Sequence, residues 1–82
     1  MNKQEIEIFS LLKHKQETCT RLLEKMREQM KAVDTQDESR LATIIEEKET
    51  LIAGLNETDQ KIAGLARDLD QTILASLTSE NA

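Results

Sequence analysis

The chain has no proline and only two glycines, Gly54 and Gly64, in 82 residues, and that scarcity constrains its fold more than any other feature. A sheet of several strands needs a turn every few residues, and tight turns draw on Gly, Pro, Asn and Asp. An all-β fold is therefore excluded. A chain this short also buries a small share of its surface, so a lone globular core is marginal and a partner surface or oligomer becomes a source of stability. Its single cysteine, Cys19, offers no internal disulfide.

In the first part of the chain, Ile8/Phe9, Leu12, Cys19, Leu22/Leu23, Met26, Met30 and Val33 recur at steps of three, four or seven. That spacing predicts one stripe on one helix, over about residues 3–33. Lys, Gln, Glu and Arg fill the positions between and suit a solvated helical face, with Glu17 set four residues before Arg21 for a surface pair. The stripe stops at Asp34-Thr35-Gln36-Asp37, which predicts a turn at about 34–36. Thr35 with Glu38 reads as a capping box for a second helix, and Asp37 is the competing cap. A second stripe, Leu41, Ile44/Ile45, Leu51/Ile52, Leu55, Ile62, Leu65/Ala66, Leu69, Ile73 and Leu77, predicts a helix over about 37–78. Its weak point is Gly54 to Asp59, where poor helix formers cluster. A break near 54–58, with Asn56 capping a third helix, is the alternative. A continuous helix is preferred because the stripe keeps phase there and Glu57 pairs with Lys61. Ile-Ala-Gly-Leu recurs at 52–55 and 62–65, but one recurrence makes no repeat array.

So short a connection makes the helices antiparallel neighbours. The expected fold is all-α, two long antiparallel helices in a helical hairpin forming one domain over 1–82. Pairing Val33 with Leu41 sets Met30 against Ile44, Leu22 against Ile52, Cys19 against Leu55, Leu12 against Ile62 and Ile8/Phe9 against Leu65/Ala66. Lys15/Gln16 then interrupts the first stripe where Thr58/Asp59 interrupts the second, which predicts a register-fixing polar layer of Lys15, Gln16, Thr58 and Asp59 with Lys15 near Asp59. Lys48 falls opposite Met26, its stem on the methionine. Both stripes carry doubled positions wider than a two-helix seam requires. That width predicts a homodimer of hairpins, a four-helix bundle or coiled coil, with a partner protein's helix in the groove as the alternative.

Charge narrows the partners. The chain carries a net charge of −5 and one aromatic residue, Phe9, which disfavours nucleic acid. Residues 1–33 hold seven basic and five acidic side chains, net +2, and residues 34–82 four basic and eleven acidic, net −7, so the halves attract. Apolar runs are far shorter than the roughly 20 residues a membrane span needs. The acidic N-terminal residues and the lone cysteine point to a cytoplasmic location. His14 falls toward the solvated face and, five residues from Cys19, shares no ligand geometry with it. Cys19, Met26 and Met30 read as core filling. Glu46-Glu47-Lys48-Glu49 reads as a solvated face without the His or pocket that acid–base chemistry needs, and the isolated glycines form no phosphate loop. No catalytic, cofactor or metal residue is expected, and no enzymatic activity. At Leu69, Ile73 and Leu77 the first helix runs out, leaving an amphipathic segment suited to helix-in-groove recognition of a protein partner.

The stretch Leu22-Leu23 through Met30, Asp34, then Leu41, Ile44-Ile45, Glu47-Lys48, Leu51-Ile52 and Leu55 resembles the small flagellar type III export chaperones of the FlgN and FliT kind, over about residues 20–70. Such proteins are similar in a long helix with paired Leu and Met, a short Asp-containing turn and a second helix with a charged pair followed by Leu-Ile. The resemblance implies a cytoplasmic chaperone that binds an unpolymerised hook-filament junction or filament-cap subunit. The family's C-terminal substrate-binding region would fall here on Leu69, Ile73 and Leu77. A structural coiled-coil protein that only oligomerises or scaffolds is the competing expectation.

Overall fold

The computed structural model describes residues 2–81, and side chains through Thr78. Two helices, α1 (Lys3–Asp34) and α2 (Glu38–Asn81), form a hairpin without strands among the described residues. Its Cα extents are 69 × 18 × 14 Å and its radius of gyration is 19.4 Å. A compact domain of this length has a radius of gyration of about 12 Å, so the hairpin is a rod whose length is that of α2 itself, about 66 Å at 1.5 Å per residue.

Local chemistry explains each end. Asn2 caps α1, its Oδ1 accepting from Glu5 N at 2.8 Å. At the other end Gln36 N donates to Val33 O at 3.1 Å and Asp37 N to Ala32 O at 2.9 Å, the two reversed bonds of a Schellman motif. The residue that closes this motif must adopt the left-handed region, and Gln36 does so at φ 54°, without glycine's freedom from steric cost. Asp37 caps α2, accepting from Arg40 N at 3.0 Å. The Thr35 capping box does not form, because the Thr35 hydroxyl donates back to Lys31 O at 3.0 Å. α2 runs unbroken through Gly54 to Asp59. Thr58 tolerates that interior position by donating its hydroxyl to Gly54 O at 2.9 Å.

Burial shows which faces meet. The less exposed positions of α1 include Gln4, Ile8, Leu11, Lys15, Thr18, Leu22, Lys25, Gln29 and Ala32, with Glu5 and Glu28 beside them, and those of α2 include Leu41, Ile44, Lys48, Leu51, Leu55, Thr58, Ile62, Leu65 and Leu69. Both rows of nine alternate steps of three and four throughout, as an antiparallel coiled-coil seam does. Together with the ion pairs across the seam, this alternation levels Ala32 with Leu41, Leu22 with Leu51, Thr18 with Leu55 and Ile8 with Leu65.

The expected register is thus correct to within one residue, but α1 is rotated by one position. Ala32, 4% exposed, occupies the place expected of Val33, which is 55% exposed. Phe9, Leu12, Cys19, Met26 and Met30 move outward with it, so they fill no core within the hairpin. The pairings expected for Val33, Met30, Cys19 and Leu12 are replaced by those of Ala32, Gln29, Thr18 and Leu11. Small Ala32 and Thr18 allow close approach, and Lys15, Lys25 and Gln29 of the α1 seam find partners on α2, which the outer stripe could not. Among the described residues only Ile44 is a fully buried large side chain.

Candidate protein-binding surfaces

The polar layer sits where the stripes are interrupted. Lys15 Nζ lies 2.7 Å from Asp59 Oδ1, and that hydrogen bond and charge hold the Lys15 ammonium above its ordinary pKa. Thr58 is buried one residue away, and Thr18 is buried with its hydroxyl donating to His14 O at 3.0 Å. Gln16 is exposed, outside the layer expected to contain it, because the one-position rotation that turns Lys15 inward turns Gln16 outward.

Nearer the turn, Lys25 bridges Glu47 of α2 and, at 3.2 Å, Glu28 of its own helix. The hydrogen bond to Glu47 foremost, then that to Glu28, raises the Lys25 pKa, and the Lys25 hydrogen bond holds the Glu47 carboxyl below its ordinary range. Arg40 reaches Glu28 at 3.3 Å across the turn. Lys48 donates to Gln29 Oε1 at 2.7 Å and shares a groove with Met26. Glu57 pairs with Lys61 at 3.5 Å.

These contacts divide the hairpin into unlike faces. In an antiparallel pair, the positions directly after Leu11, Thr18, Lys25 and Ala32 on α1 and after Ile44, Leu51, Thr58 and Leu65 on α2 share one side of the seam. On that side stand Leu12, Cys19, Met26 and Val33, with Ile45, Ile52, Asp59 and Ala66. The next row of α1 adds Phe9, Gln16, Leu23 and Met30. Together α1 carries a second alternating stripe (9, 12, 16, 19, 23, 26, 30 and 33) apolar at every position but Gln16, and Met30 is 70% exposed. An open groove lined by Met26, Gln29, Met30, Val33, Asp34 and Lys48 runs along this face toward the turn. The opposite face is charged, with Arg21, Glu28, Arg40, Glu47, Lys61 and Asp68 beside the seam.

The third feature is the overhang. Gln4 is level with Leu69, and beyond it α2 continues alone for about three turns. Leu69 is half-buried beside the first turn of α1. Ile73, Leu74 and Leu77 are 52%, 64% and 52% exposed. Leu74 was missed by the sequence reading, although it stands four residues after Asp70 and three before Leu77, on the same side of the helix as Leu77.

Among the described residues no group of three or more His, Cys, Asp or Glu is placed to hold a metal, and no helix is long and apolar enough to cross a membrane. His14 and Cys19 are both exposed. The geometry therefore defines a charged hairpin with one apolar broad face and one unpaired amphipathic tip. No protein-family model matches the chain, and neither curated proteins nor solved structures give a match.

Proposed function

We propose that this hairpin is a non-enzymatic chaperone or adaptor of the flagellar type III export kind, acting in the cytoplasm. It binds an amphipathic helix of a hook-filament junction or filament-cap subunit on the unpaired end of α2. The observation that carries this reading is the overhang. Ile73, Leu74 and Leu77 form an apolar patch on a helix whose partner has ended. A client helix lying along residues 69–77 would cover that patch without disturbing the hairpin seam, as helix-in-groove recognition requires. Leu69, at the rim of the overhang, would join the overhang to the seam.

Isothermal titration with the purified chain and amphipathic helical segments of junction and cap subunits from the same organism tests the proposal. A one-to-one complex is expected with at least one segment. Ile73→Ser with Leu77→Ser should weaken it by at least tenfold while leaving the helicity of the hairpin unchanged. Failure of every segment to bind, or equal binding by the double variant, would overturn it in favour of a scaffold that only self-associates.

A further inference from the structure

The outer stripe of α1 has no counterpart within its own chain. Its eight positions, Phe9, Leu12, Gln16, Cys19, Leu23, Met26, Met30 and Val33, alternate steps of three and four along nearly the whole helix. Such a stripe packs against another of the same kind. Both seam stripes are already used within the hairpin, and the row of α2 on the same face (Ile45, Ile52, Asp59, Ala66, Ile73), half-buried at Asp59 and Ala66, recurs only every seventh residue, too narrow to interdigitate with it. The one remaining match is the α1 stripe of a second copy.

We infer that two chains associate through α1 against α1, antiparallel, with a two-fold axis at Arg21 and the turns at opposite ends. This register leaves no position of the stripe unmatched. Phe9 meets Val33 of the second copy, Leu12 meets Met30, Gln16 meets Met26 and Cys19 meets Leu23. A separate feature falls on the same axis. Arg21 is level with Ile52 in the hairpin seam, so the operation that centres the α1 stripes also sets Ile52 against Ile52 of the second copy. The operation likewise brings Arg27 of the second copy level with the Lys15–Asp59 pair, the polar spot on this face.

Surface area supports the same occupant. The chain exposes 6511 Å², whereas a folded monomer of its mass exposes about 5,000 Å². The excess of about 1,500 Å² falls within what each partner of a stable obligate dimer buries, about 1,000–2,500 Å². The register also leaves the tip of α2 uncovered, because Glu38 of the second copy comes level with Ala66. Residues beyond it project from each end of the dimer. Self-association and client binding thus use separate surfaces, and each can fail without the other.

The test has two arms on the full chain. Sedimentation equilibrium from 1 to 100 µM should give twice the 9.3 kDa chain mass, and Met26→Glu with Met30→Glu should raise the dissociation constant at least a hundredfold. For the second arm, Phe9→Cys and Val33→Cys are placed together in a Cys19→Ser background. The two sites are about 36 Å apart along one helix, too far to link within a chain, so mild oxidation should yield linked dimers. Phe9→Cys alone in that background should stay unlinked. A monomer at 100 µM, a dimer that the doubly substituted chain fails to lock, or linkage through Phe9→Cys alone would overturn the arrangement.

Discussion

Replacing both glycines by alanine should stabilise this protein, and the size of the gain follows from the structure. Gly54 and Gly64 lie inside α2 with ordinary helical backbone, neither at positive φ, and a Cβ built at either position meets nothing within 4 Å. No packing or strain term opposes the substitution, so only helix propensity remains. Glycine costs about 0.8–1.0 kcal/mol against alanine in a helix interior. The Gly54→Ala, Gly64→Ala chain should therefore gain about 1.6–2 kcal/mol. For a domain of 60–100 residues, 1 kcal/mol moves the melting temperature by about 4–8 °C, so an increase of about 6–16 °C is expected in a thermal melt followed by circular dichroism at fixed protein concentration. Ala53→Gly, at an exposed neighbouring position, is the control and should lose about 1 kcal/mol. An unchanged or lowered melting temperature for the double variant would refute the reasoning. It would mean that something approaches the backbone at Gly54 or Gly64 closely enough to exclude a methyl group.

Four further outcomes follow. Gln36→Gly should stabilise the turn by about 1 kcal/mol by relieving its left-handed backbone, measured by urea unfolding. Asp37→Ala removes the acceptor of Arg40 N and should cost about 0.5–2 kcal/mol in the same assay. Ile44→Ala truncates a fully buried large side chain and should cost about 2–5 kcal/mol; a smaller loss would show that Ile44 is not the core of the seam. The pH dependence has two limbs. The depressed pKa of Glu47 contributes stability above the ordinary carboxylate range, lost as pH falls through the lowered value. The raised pKa values of Lys15 and Lys25 contribute stability below the ordinary lysine range, lost as pH rises through the raised values. Helicity should be flat from about pH 5 to pH 10 and decline outside that window, and Lys25→Met should blunt the acid limb.

The hairpin was legible because scarce turn residues and two long stripes leave few alternatives, and because the stripes are interrupted at matching depths. Lys15 and Asp59 could be paired from that coincidence alone. The rotation of α1 was not legible from apolarity. Two stripes lie side by side on α1, offset by one residue, and the outer one is the more apolar. A reading that buries the greasier stripe chooses Val33 over Ala32 and Met26 over Lys25. The deciding terms belong to pairs of residues: Lys25 with Glu47, Lys48 with Gln29, and the small side chains of Thr18 and Ala32 where the helices approach. The left-handed turn was hidden for a similar reason, since the usual signal is a glycine and the chain uses Gln36.

This division of stripes has a physical logic. An all-apolar seam is strong but tolerates many registers and partners, whereas charged and small residues placed at fixed depths discriminate among them. Lys15 finds Asp59 and Lys25 finds Glu47 only when α1 folds back on its own α2 in one register. Two copies of α1 paired through the inner stripes would instead bring together Lys15, Lys25 and Gln29 with Glu28, at the edge of the seam, a carboxylate already paired with Lys25 of its own helix. The polar residues in the inner seam thus weaken it and make it selective. The apolar stripe, free of such demands, is left for association, where the second helix is already held in place by its own hairpin and the ordering cost is small. A single substitution that made the inner seam wholly apolar, such as Lys25→Leu, would strengthen packing and surrender part of that discrimination.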